Sequence, residues 1–150
     1  MSAITRPTNF DHALQVATTW VRDVAQAFPT ADGEFAFRAL RAWLHTLRDR
    51  LTVEAAANFG AQLPELLRGT YYEGWSPHDV PKRYDTQEFI ARFAQEAGIS
   101  RADVPKAGAA VTTGLLKHLR PGSVDKALDQ LPEELRALLR PAQPPLDHSG

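Results

Sequence analysis

The sequence predicts an all-α protein, a compact helical bundle of about seven to eight helices. Three observations predict it. Apolar residues recur at three- and four-residue intervals along most of the 150 residues. Helix start and stop residues punctuate the chain. The second half repeats the first at a fixed offset, so the bundle reads as two tandem copies of a long-long-short-short helical unit.

In the first helix Phe10, Leu14, Ala17, Val21, Val24 and Phe28 fall on one face. Thr8 and Asp11 form an S/T-x-x-D/E start, and Pro29 is the stop, because it cannot donate to the helical ladder. The second stripe is Phe37, Leu40, Leu44, Leu47 and Leu51, predicting a helix over about 32–50. Its arginine-rich end suits a helix C-terminus, with Arg48 and Arg50 placed to bond the last carbonyls of their own helix. Thr52 reads as the N-cap of a short helix running through Phe59 to Leu63. Pro64 opens another, to Arg68, with Gly69 as its left-handed end. Residues 70–84, with Pro77 and Pro81 and no apolar period, read as a connection.

Helix resumes at Asp85, whose capping partner is Glu88. Phe89, Phe93 and Ala97 are its stripe and Gly98 its end. Ser100 and Asp103 mark a further start, with the main helix beginning at Pro105 and carrying Val111, Leu115 and Leu119. Pro121-Gly122 breaks it. Short helices through Val124, Ala127, Leu128 and Leu131, then Leu135, Leu138 and Leu139, close the fold. The tail 141–150 has three prolines and no stripe, and is expected to be disordered. One domain over 1–140 results, with copy one at about 9–75 and copy two at about 85–140.

The repeat is visible at a shift of 68 residues. Leu47 and Leu51 fall on Leu115 and Leu119. Gln62-Leu63-Pro64-Glu65 falls on Gln130-Leu131-Pro132-Glu133, and Leu67-Arg68 on Leu135-Arg136. Leucine periodicity alone would not reproduce Gln-Leu-Pro-Glu. A unit whose stripe needs a partner is expected to pack against its twin.

Composition narrows the function. A hydrophobic fraction of 43% and a charged fraction of 23% are ordinary for a globular domain. A net charge of −1 gives no global field toward nucleic acid or an anionic membrane, and neither is expected as a partner. Cysteine is absent, which removes disulfides, thiolate metal sites and cysteine nucleophiles. The N-terminal residues lack a signal-peptide pattern and no run reaches the ~18 apolar residues of a membrane span. The expected location is the cytoplasm. Oligomeric state is not predicted.

Three stretches carry a resemblance. They are Leu44-His45-Thr46-Leu47-Arg48-Asp49-Arg50-Leu51-Thr52-Val53-Glu54-Ala55-Ala56, Ala61-Gln62-Leu63-Pro64, and Arg68-Gly69-Thr70-Tyr71-Tyr72-Glu73-Gly74-Trp75. Together they resemble the bacterial family called domain of unknown function 2267, over about residues 10–140. The resemblance implies an all-helical fold and a bacterial source, and brings no activity or catalytic residue. The second copy departs where Pro121-Gly122 stands at the Val53-Glu54 positions.

Two features are candidate binding sites. Tyr71, Tyr72 and Trp75, with Arg68 beside them, could present a stacking surface, or the rings could fold back onto the core with their hydroxyls bonded. Arg38, Arg41, His45 and Arg48 form a basic stripe that could dock an acidic partner or phosphates, or simply face solvent. The five histidines show neither His-x-x-x-His nor Glu-x-x-His spacing, so no metal or haem ligand set is assigned, and no cofactor is expected. His78-Asp79 near Glu73 is a weak metal pattern. No nucleophile elbow or phosphate-cradling glycine loop occurs, so no catalytic residue is named. The reading is a non-enzymatic helical module that binds another protein. The alternative is a small-ligand-binding protein or cryptic enzyme with a pocket near 71–75.

Overall fold

A computed structural model describes residues 4–141. Among these residues the chain is all-helical, with eight α-helices, one 3-10 turn and no strand. The helices are α1 (Thr8–Ala25), α2 (Gly33–Asp49), α3 (Val53–Gly60), α4 (Glu65–Tyr72), α5 (Thr86–Ala97), α6 (Val104–Leu115), α7 (Pro121–Leu128) and α8 (Glu133–Leu139). In order, their lengths are 18, 17, 8, 8, 12, 12, 8 and 7 residues. The expected disordered tail lies, apart from Pro141, outside the described residues.

Local start signals are used where the side chain can reach a free backbone N–H. Asp32 accepts from Glu34, Thr52 from Ala55 and Asp85 from Glu88. Gly98 ends α5 at φ +71°, a left-handed conformation that favours glycine. The Thr8 start differs from expectation. Pro7 occupies the cap position without a side-chain bond, Thr8 is already helical, and Asp11 instead pairs with Arg6 at 2.6 Å. Pro121 opens α7 rather than merely interrupting the preceding helix, because a proline at the first position gives up only an N–H that has no intrahelical acceptor. Pro64 and Pro132 sit just outside α4 and α8, at matching cap positions.

α2 lies at the centre and packs on α1, α4, α5 and α6. Its residues 42–48 are buried without a break. Trp43 is fully enclosed, and its indole N–H donates to the Thr112 hydroxyl at 3.0 Å. That hydroxyl also lies within hydrogen-bonding distance of the Gly108 and Leu139 carbonyls, joining α2, α6 and the end of α8. The packing pairs are reciprocal. α1 lies on α6 as α5 lies on α2, α4 lies on α2 as α8 lies on α6, and α3 faces α7. At Gly114 the backbones of α1 and α6 meet: an added Cβ would stand 2.6 Å from the Val24 Cα.

The α1 stripe is only partly covered. Ala17 and Val24 are buried, but Phe10 is 62% and Leu14 53% exposed. The buried face runs through Ala17, Trp20, Val24 and Ala25, so it is rotated from the expected stripe, takes in Trp20 and leaves Phe10 and Leu14 open.

Candidate functional site

The two sequence candidates, the basic stripe and the aromatic segment, meet at the junction of α2 and α4. α4 continues through Gly69 to Tyr72, so Gly69 is a helical residue and the connection starts later than expected. Its last carbonyls have no partner within the helix, as at every helix C-terminus. α2 supplies the donors. His45 Nε2 lies 2.7 Å from the Thr70 carbonyl and, since a carbonyl only accepts, donates to it. The Arg48 guanidinium donates to the Tyr71 and Glu73 carbonyls. The Arg48 guanidinium also complements the negative end of the α4 dipole.

These bonds overturn two expectations. The stripe does not simply face solvent: His45 and Arg48 are buried, the Arg48 side chain being 6% exposed. Arg48 and Arg50 also do not bond their own helix's last carbonyls. The connection takes two of those, with Tyr84 Oη donating to Thr46 O at 2.8 Å and Lys82 N to Asp49 O at 2.6 Å, while Leu47 O and Arg48 O accept from the Arg50 and Leu51 N–H groups. Arg50 in turn donates to Lys82 O. The long side chains reach outward, to carbonyls that have no backbone donor.

The remaining candidates divide in the same way. Tyr71 is fully buried and its hydroxyl donates to Ala56 O at 2.8 Å. Burial holds its phenol neutral well above the usual tyrosine range, and the same cause acts on Tyr84. Arg68 donates to Gly60 O at 3.1 Å and Leu63 O at 2.7 Å, capping the end of α3. Tyr72 and Trp75 are half-buried with ring centroids 5.3 Å apart, and the Trp75 N–H is buried without a partner among the described residues. Arg41 reaches Glu73 at 3.0 Å and Glu96 at 3.4 Å, and Glu96 also lies 2.5 Å from His45 Nδ1. Arg38 is exposed, over the Phe35 ring at 5.9 Å. The junction thus gathers seven of the eight candidates around α2, α3 and α4, and four of them, Tyr71, Arg68, His45 and Arg48, donate to the chain's own backbone.

His118 lies 2.6 Å from Asp23 Oδ2 and stacks on Trp20, fastening the segment after α6 to α1. Among the described residues no group of three or more His, Asp or Glu side chains is arranged to hold a metal ion.

Sequence reasoning missed a second site. α3 and α7 pack together and line a groove of about 700 Å³. Its lining comes in six pairs, one residue from each half: Thr52 and Arg120, Glu54 and Gly122, Ala55 and Ser123, Asn58 and Lys126, Phe59 and Ala127, Gln62 and Gln130. Every pair has the 68-residue separation of the sequence repeat. Ala55, Ala127 and Phe59 bring apolar groups to the lining, and the other side chains are mostly polar. An adjoining hollow of about 450 Å³ shares Thr52 and Gln130 and adds Arg50, Arg83, Pro81 and Tyr84. The signal was available in the repeat, but only the packing of α3 against α7 turns matched positions into a concave surface.

No described helix is long and apolar enough to cross a membrane. The search of curated proteins returns no match for the chain. The profile of the family described as "Uncharacterized conserved protein (DUF2267)" matches residues 17–138, from the middle of α1 to the last turn of α8. With that match spanning both halves of the bundle, the chain belongs to the DUF2267 family.

Proposed function

We propose that this chain is a bacterial, cytoplasmic helical interaction module that acts without catalysis, by docking another protein in the groove between α3 and α7. The groove's lining supports this reading. It has accessible polar side chains around an apolar floor, whereas the α2–α4 junction has already used its donors on the fold. A protein surface that binds others commonly has such an apolar centre and a polar margin. The matched lining also fits an origin of the two halves in one duplicated unit. The reciprocal packing of α1 on α6 and α5 on α2 supports the same origin.

The test places a photo-crosslinking amino acid at Asn58 or Lys126 in the full chain, with exposed Arg101 as the control position. The expected result is one discrete adduct from both groove positions and none from position 101. Equal labelling at all three positions would refute docking in the groove.

A further inference from the structure

The groove and its neighbouring hollow bring together four cations without a carboxylate partner among the described residues, of which Arg50 also donates to Lys82 O. Arg120 and Lys126 line the first, Arg50 and Arg83 the second, and the two cavities share Thr52 and Gln130. Glu54 is the one carboxylate in either lining. None of the four cations forms an ion pair with a described carboxylate. The buried Arg50 Nε also has no hydrogen-bond partner among the described residues. This local excess sits in a chain whose net charge is −1.

The two walls differ in sign. At the paired positions the α3 side has Thr52, Glu54 and Asn58 where the α7 side has Arg120, Gly122 and Lys126. The α7 side therefore carries two cations against one carboxylate on the α3 side, and the groove continues past Thr52 and Gln130 into the Arg50–Arg83 hollow. The trough runs along the eight-residue length of α3.

Taking the groove as the docking surface, the geometry points to an acidic peptide segment of the partner protein as its occupant. Carboxylates spaced along the segment meet Arg120, Lys126, Arg83 and Arg50 in turn. The small apolar floor accepts short side chains between them, and Gln62 and Gln130 offer amides to the segment's backbone. Complementary charge of this kind governs encounter rate and partner choice. It also makes binding salt-dependent, since exposed pairs are screened over roughly 10 Å at 0.1 M salt.

The experiment uses the full chain and a fluorescein-labelled peptide of alternating glutamate and alanine, read by anisotropy. A glutamine-for-glutamate peptide is the neutral control. The variant R120E/K126E reverses two exposed groove charges, and R101E/K106E makes the same net change outside the groove. Circular dichroism confirms that both variants fold. The acidic peptide is expected to bind, the neutral one not. Affinity should fall about tenfold or more in R120E/K126E, while R101E/K106E stays within about twofold. Equal loss in both variants overturns the inference, as does no binding up to about 1 mM peptide. Equal binding of both peptides, lost only in R120E/K126E, overturns the acidic occupant and leaves the groove as the docking surface. Inorganic phosphate that competes at lower concentration than the peptide also overturns the segment, in favour of a small anion.

Discussion

The α2–α4 junction and the α3–α7 groove use the same residue types to opposite ends. At the junction Arg48, Arg68 and His45 donate to carbonyls at the ends of α3 and α4, and the chain closes around them. At the groove Arg120 and Lys126 have no carboxylate partner and stay in water. A cation's role is thus set by what lies within its reach. Helix ends nearby make it part of the architecture, and their absence leaves it available to another molecule.

The sharpest way to break this contrast is Arg48→Ala. It leaves the Tyr71 and Glu73 carbonyls without their donor, and charged hydrogen bonds are worth about 1.5–3 kcal/mol each. A loss of about 3 kcal/mol is expected in urea denaturation, with Arg48→Lys recovering part of it, because an ammonium lacks the planar fork that spans two acceptors. If R48A unfolds at the wild-type midpoint, the junction is not architecture.

Gly60→Ala comes next. The new methyl would stand 2.6 Å from the Tyr72 hydroxyl and 2.9 Å from the Tyr71 ring, forcing apart the α3–α4 contact. Overpacking of this kind costs about 1–3 kcal/mol, read as a fall in melting temperature. Tyr71→Phe removes only the bond to Ala56 O, and about 1 kcal/mol should be lost.

Tyr71 and Tyr84 add a pH signature. Both phenols titrate above the usual range when folded, so the stability they lend is complete below the unfolded value near 10. It is lost as pH rises from there through the folded values, because the unfolded chain releases its protons first. Alkaline unfolding should therefore coincide with phenolate absorbance from these two residues, and Y71F should blunt the pH dependence. Phenolate formation by all three tyrosines in the folded state would contradict their burial.

The smallest expected effect on stability is that of R120E/K126E. Exposed charges without partners contribute little, so the change should stay within about 0.5 kcal/mol by the same denaturation assay. The groove reading requires that modest figure together with a lost interaction. A large destabilisation would put Arg120 and Lys126 on the architectural side of the comparison.

The same division explains what could be read in advance. Thr52, Asp85 and Gly98 act within four residues of themselves, and each was legible from the sequence, whereas Asp32 marked only the approximate start of its helix. The run from Phe89 to Ala97 was likewise legible as a buried face. The length of α4 was not, because it depends on donors from His45 and Arg48, more than twenty residues earlier. Periodicity put Phe10 and Leu14 in the α1 stripe, but the face that its neighbours cover takes in Trp20 and Ala25 and leaves both out. The candidate residues at 68–75 were found from their composition, yet whether a ring is accessible is decided by α3 and α2. The groove was not legible, since positions 68 residues apart form a concave surface only through the packing of α3 against α7.

The meeting of α1 and α6 at Gly114 bears on how this bundle can respond to a partner. Main chains in direct apposition leave no slack for one helix to slide along the other, so that crossing behaves as a fixed pivot. Neither helix beside the trough shares that crossing, so an occupant there presses on elements other than the pivot.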